Sequence, residues 1–262
     1  ITSTRKNDEE LDIIYQSFLE NLDLKSEHIM ELLRYGFSME DIERIGFKSI
    51  PIQEKDRINI CNKLIKDDFD LEGTPGFFKD RKFRSNFKAH KGILIPIKEN
   101  HRIIALRIHL EDIYNTDTTD IWFSSSQDCN GSKTLNNIMF LYPEENAIQF
   151  MNDTGTKDII IVSEMILAYK IHLYFRNNIV IGVPNVISKK ELQKLKRIQK
   201  VNDVHVVMDK HTVLHNSENL LENLYKLYPR RKIKLHFSLK DGEIPSSIEN
   251  LNNYIDIQEN IA

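Results

Sequence analysis

From residue 158 onward the chain repeats one pattern: a short apolar run, a helix-length stretch, then another apolar run. The runs lie at 158–163 (Ile159-Ile160-Ile161-Val162 at its centre), 179–183, 204–208 and 232–237. Helix-like segments fill 164–176, 188–200 and 216–227. Strands apolar on both faces belong inside a sheet covered on both sides. Connections this long make neighbouring strands parallel. The expectation is a parallel sheet flanked by helices, with ligands bound beyond the carboxyl ends of its strands. Glu164 and Asp209 each follow a strand, so both are expected at that crevice.

The first seventy residues have a different period. Leu11, Ile14, Tyr15, Phe18, Leu19 and Leu22 recur every three to four positions and form one apolar helix face. Ser26 is expected to cap a second helix that stops at Gly36. Ser38-Met39-Glu40-Asp41 has the form of a capping box, with Gly46 as the stop. A fourth helix after Pro51 carries Ile58, Cys61, Leu64 and Ile65. Residues 1–72 therefore read as a helical subdomain, 73–157 as a β-rich region with a basic loop, and 158–262 as the α/β domain.

The middle region opens on turn chemistry, Gly73-Thr74-Pro75-Gly76-Phe77-Phe78. It lacks the Lys-Ser/Thr of a phosphate-binding loop, so its expected role is structural. Residues 92–97 and 102–110 read as a hairpin around 98–101, and 122–125 and 138–142 as further strands. Trp122 is expected in the core.

Net charge is −3, but it is distributed in blocks. Residues 1–72 carry −7, 73–111 carry +6, 112–163 carry −6, 164–240 carry +9 and 241–262 carry −5. Two basic blocks in a near-neutral chain have the form of a phosphate footprint. The first holds Lys79, Arg81, Lys82, Arg84, Lys88 and Lys91, interleaved with Phe83 and Phe87. The second holds Lys189, Lys190, Lys194 and Arg197, then Arg230 and Arg231. Such cations neutralise phosphates and give sequence-independent affinity. Phenylalanines among them stack on unpaired bases or pack the loop, and packing is the simpler role.

Other chemistries are poorly served. Two cysteines, Cys61 and Cys129, make neither a disulfide framework nor a four-Cys zinc site. Asp209, His211 and His215 lack further ligands and read as surface residues. There is no G-x-S-x-G elbow. No basic-then-apolar leader opens the chain, and no apolar run approaches the roughly 18 residues that span a bilayer. The expectation is a cytoplasmic protein with no membrane partner.

An acidic residue after one strand and another after a later strand resembles the Toprim fold of bacterial primases, topoisomerases and some nucleases. The chain is similar, more narrowly, to Toprim-like domains in replication proteins of phages, plasmids and integrative elements. The similarity runs through Tyr15, Phe18-Leu19, Leu24, His28, Leu32-Leu33-Arg34-Tyr35-Gly36, then the G-x-P-G-F motif at Gly73–Phe77. It continues through Gly92-Ile93-Leu94-Ile95-Pro96-Ile97, Leu106-Arg107-Ile108, Trp122-Phe123-Ser124-Ser125, Glu164 and Gly182-Val183-Pro184, covering about residues 10–240. The resemblance implies Mg²⁺ held by carboxylates, because a hard cation wants oxygen ligands, and Glu164 and Asp209 are its catalytic and metal-binding candidates.

The departures from that family fall on the metal site. Ala168 stands where the family has Lys, and Lys170 where it has Asp. Asp209-Lys210-His211 lacks the second carboxylate of the family's D-x-D, and Asp241-Gly242-Glu243 replaces a late paired-Asp motif. The implied protein is a degenerate Toprim domain that binds single-stranded or template DNA, needs no cofactor, and serves a replication helicase, polymerase or primase of the same element. Two other readings stay open. One is an active Mg²⁺-dependent primase or nuclease, a phosphoryl transferase. The other is a protein-interaction module docking a replication partner.

Overall fold

In the computed structural model the described residues are 2–99, 101–111, 120–135, 139–141, 157–175, 178–183, 193–196, 198, 201–209, 222–228 and 233–238. They fall into two compact units, Ile1–Leu135 and Asn136–Ala262.

In the first unit, helix α1 (Asp8–Glu20) starts at a reciprocal cap. The Asn7 side chain accepts from the amides of Glu9 and Glu10, and Glu10 accepts from the amide of Asn7. The expected apolar face is buried: Leu11, Ile14, Tyr15, Phe18 and Leu19. Helix α2 (Ser26–Arg34) corrects one expectation, because Ser26 is its first helical residue; Lys25 is the cap and makes no side-chain bond to the helix. What fastens α2 is His28, whose Nδ1 meets Ser49 Oγ and whose Nε2 meets Glu111 Oε1, both at 2.6 Å. Helix α3 (Met39–Ile45) has the Ser38–Asp41 capping box and ends on Gly46 at φ +87°. Strand β1 (Lys48–Ser49) and helix α4 (Glu54–Lys66) follow.

Strands β2 (Phe77–Lys79) and β3 (Ser85–Phe87) form a small antiparallel ribbon. Strands β4 (Gly92–Glu99) and β5 (Arg102–Leu110) form the expected hairpin. With β1 and β6 (Asp120–Trp122) they build an antiparallel sheet ordered β1-β4-β5-β6. Pro96 sits in β4 because β1 pairs only at Leu94 and Ile93, so no ladder bond is lost on that side. The strand expected through Ser125 ends at Trp122. Phe123 instead turns into the core, and Ser125 Oγ donates to the Phe77 carbonyl at 2.6 Å. Trp122 is half-buried, its ring 4.8 Å from the Arg107 guanidinium carbon.

Helices and strands of this unit share one core. Phe18 of α1 stands 5.0, 4.9 and 5.6 Å, ring to ring, from Phe77, Phe87 and Phe123. The Tyr15 hydroxyl donates to the Pro75 carbonyl at 2.9 Å, which ties α1 to the G-x-P-G-F turn. Cys61 is buried in the same core, and burial pushes its thiol up to about 12, while Cys129 is exposed. Because the thiolate is the reactive species, a thiol reagent at neutral pH should titrate one cysteine in the folded chain and two in denaturant. Two fast-reacting thiols in the native state would contradict this packing.

The second unit is the expected parallel sheet with one antiparallel edge. Strands β8 (Lys157–Val162), β9 (Ile179–Gly182), β10 (Val201–Asp209) and β11 (Ile233–Ser238) run parallel, in the order β11-β10-β8-β9. β7 (Met139–Leu141) pairs antiparallel with β9 at the edge. Helix α5 (Met165–Tyr174) joins β8 to β9 and is buried from Met165 to Ile171. Ile159, Ile161, Ile179, Ile181, Val204 and Val206 pack with Leu195, Ile198, Leu224 and Tyr228 on one sheet face. The fold class is therefore α/β, with a parallel sheet of four strands. Among the described residues no helix is long and apolar enough to cross a membrane.

Candidate functional site

At the carboxyl ends of the parallel strands, Val162 of β8 pairs with Val207 of β10. Glu164 and Asp209 each lie two residues beyond that pair, on strands spaced about 4.8 Å apart. Backbone topology thus brings the two sequence-predicted carboxylate positions to one edge. Glu164 is half-buried and precedes α5 with extended backbone, its carbonyl accepting from the amide of Ala168 at 2.9 Å. Asp209 ends β10 opposite Ser238 of β11.

The new element here is Lys170. It is 4% exposed, on a helix enclosed by apolar neighbours. Burial holds its ammonium below the ordinary lysine range, and the Glu164 carboxylate opposes part of that shift. A charge taken out of water needs a counter-charge, and Glu164 supplies one to Lys170. Magnesium requires several oxygen ligands in octahedral array. Among the described side chains, this place offers the Glu164 carboxylate as an oxygen donor, with the buried Lys170 within its electrostatic reach.

A second titratable cluster lies at the opposite, amino-terminal end of the strands, and sequence reasoning missed it. Asp158, Asp203 and His205 place ligand atoms within 4.8 Å of one another. Protein donors already serve the carboxylates: Asn202 Nδ2 and the Asp203 amide bond Asp158 at 3.0 and 3.1 Å, and Lys234 Nζ stands 3.0 Å from Asp203. The sequence signal is the alternation Asp203-x-His205 on a strand, but Asp158 and Lys234 join it only through the sheet register. Burial holds the His205 imidazole below its ordinary value of 6.5, with Asp158 opposing. The unfolded chain then binds more protons than the native one below that value, so this histidine removes stability as pH falls through its ordinary range. Urea unfolding of this unit should show a midpoint that drops with acid, and His205→Asn should flatten the drop. An unchanged pH profile in the variant would contradict it.

In the first unit, residues 80–84 connect β2 to β3. Asp80 Oδ1 accepts from the amides of Lys82 and Arg84 at 2.8 and 2.9 Å, and Oδ2 accepts from Arg84 Nε at 2.7 Å. The Asp80 amide donates to the Arg84 carbonyl, and the Phe83 amide to the Asp80 carbonyl, both at 2.9 Å. Desolvation raises the Asp80 carboxyl, but its bonds to Arg84 and these amides outweigh that and hold it below the usual carboxylate range. The turn is fixed from within, and it projects Arg81, Lys82 and Phe83 into solvent.

No protein-family model matches the chain, and no curated protein sequence matches it. Solved structures do. The Aquifex aeolicus primase, in its zinc-binding and RNA polymerase domains, aligns over 94% of this chain at a TM-score of 0.62 and 14% identity. This chain spans 58% of that protein's length. The RNA polymerase domain of Mycobacterium tuberculosis primase DnaG aligns over 92% of this chain and 78% of its own, at a TM-score of 0.65 and 12% identity. A DnaG primase catalytic domain bound to single-stranded DNA aligns over 92% and 77%, at 0.55 and 16%. The fold is primase-like.

On that primase-like fold the predicted cations divide into groups. Four of the first block are engaged internally. Lys79 Nζ donates to Ser85 Oγ at 2.8 Å; Arg84 pairs with Asp80 and Glu54; Lys88 pairs with Asp128 at 2.9 Å; Lys91 pairs with Glu111. Arg81 and Lys82 are exposed and make no ion pair among the described residues. The aromatic pair also divides. Phe87 is 1% exposed in the core, so its expected packing role holds, while Phe83 is 77% exposed. Lys194 lies half-buried within the second unit's helical turn at 193–195. Lys189, Lys190, Arg197, Arg230, Arg231, His211, His215 and Asp241 lie outside the described residues.

The G-x-P-G-F segment serves structure. Gly73 and Gly76 have φ of +76° and +94°, and Thr74 is wholly buried.

Proposed function

We propose that this chain is a nucleic-acid-binding accessory of mobile-element DNA replication, built on a primase-like fold whose metal chemistry has been lost. The observation that carries the reading is Lys170: a buried basic side chain stands where the Toprim pattern has an Asp, within electrostatic reach of Glu164. A basic side chain in place of a carboxylate works against binding a dication there. Eroded carboxylates at Lys170 and His211, and the exposed cations of the basic turn, support the same view. The chain holds single-stranded or template DNA in the cytoplasm for a helicase, polymerase or primase of the same element.

Template-directed ribonucleotide incorporation tests the loss of catalysis. The full chain is given single-stranded DNA, nucleotides and Mg²⁺ or Mn²⁺, beside Glu164→Ala. Product no greater than with Glu164→Ala is expected. Incorporation that Glu164→Ala abolishes would overturn the proposal in favour of an active primase.

A further inference from the structure

Phe83 occupies a position the fold does not reward. Its φ is +58°, in the left-handed region that bulky side chains rarely adopt. It is 77% exposed, so the strain is not offset by burial. Among the described residues of the first unit it is the one aromatic side chain that faces solvent; the other large exposed apolar groups are aliphatic. Strain that packing does not repay points to use elsewhere. The bonds from Asp80 keep the turn in this conformation, so the backbone presents the ring to solvent. Its neighbours in the turn are Arg81 and Lys82, both exposed, so the ring stands among cations.

We infer that Phe83 is a stacking platform for an unpaired nucleobase, with Arg81 and Lys82 neutralising the phosphates on either side. This rests on the nucleic-acid reading above and adds a substrate preference to it: single strands over duplex. A ring at the tip of a turn reaches the face of an unpaired base, whereas a duplex keeps its base faces stacked inside. Base–aromatic stacking tolerates any sequence, because every base has a π-face. The two cations give the salt-dependent part of the affinity and the ring gives a part that salt does not screen.

The test compares the full chain with Phe83→Ala, Phe83→Trp, Phe83→Gly and Arg81→Ala/Lys82→Ala. Binding to a fluorescein-labelled oligothymidine and to a blunt DNA duplex is followed by anisotropy over a salt series. Phe83→Ala should weaken single-strand binding by about tenfold with the salt slope unchanged, and leave duplex binding alone. Phe83→Trp should restore it. Phe83→Gly should melt no lower than the wild type, since glycine accepts the left-handed backbone, yet bind like Phe83→Ala. Arg81→Ala/Lys82→Ala should flatten the salt slope instead. If the wild type binds the oligothymidine and Phe83→Ala binds it equally, the stacking role is wrong while the nucleic-acid reading stands. If the wild type binds neither DNA at about 50 mM salt, both fail.

Discussion

Phe18→Ala should lower the stability of the first unit by about 3–5 kcal/mol. The ring is fully buried and touches Phe77, Phe87 and Phe123, which come from three separate segments. Those segments are short strands or loop that make few ladder bonds of their own, so the aromatic cluster is what joins them to α1. Edge-on and offset ring pairs add to the area they bury. Removing the central ring leaves three partners facing a void that backbone-anchored neighbours cannot fill. Urea unfolding followed by a probe in the first unit should show the midpoint fall with little change in slope. A loss below about 1 kcal/mol, in the range of surface substitutions, would mean that the cluster is not the unit's centre.

Gly76→Ala should cost nearly as much, although it adds a single methyl group. A Cβ at this position would lie 2.0 Å from Phe123 Cε1, and φ is +94°. Two penalties therefore act together. The left-handed backbone costs an L-residue about 1–2 kcal/mol, and forcing atoms into a packed core costs about 1–3 kcal/mol. Phe123 cannot swing aside without leaving Phe18 and Phe87. Gly73→Ala meets the Thr4 carbonyl at 2.4 Å with φ +76° and should behave similarly. Stability of Gly76→Ala equal to wild type would show that the G-x-P-G-F turn is not fixed in this conformation and would reopen a ligand-binding role for it.

Local chemistry was readable from sequence wherever a few neighbouring residues decide the outcome. The Ser38–Asp41 box, the stop at Gly46, the amphipathic face of α1 and the apolar β8 run each follow from spacing alone. Errors began where partners come from afar. Ser26 is the first helical residue rather than the cap, and α2 is fastened instead by His28, which reaches Ser49 and Glu111. Phe83 and Phe87 look equivalent in sequence, both set among basic residues. One lies on a turn that Asp80 closes and the other on a strand beneath Phe18, and only the register of β2 with β3 separates them. Lys88 and Lys91 read as free cations, yet Asp128 and Glu111 reach them from 40 and 20 residues away. Lys170 was legible as a departure from a family pattern. That it is buried, within electrostatic reach of Glu164, becomes visible only in the structure.

The measurement that bears most directly on the central claim is binding of labelled single-stranded DNA to the full chain, by fluorescence anisotropy, over a salt series with Mg²⁺ and again with EDTA. A DNA-holding domain without metal chemistry should bind at low salt and weaken steeply as salt rises, because cations released from the strand drive the association. Its curves with Mg²⁺ and with EDTA, matched for ionic strength, should superimpose. Binding that appears only with Mg²⁺ would contradict the account, since it would require a working metal site beside Glu164 despite the ammonium of Lys170.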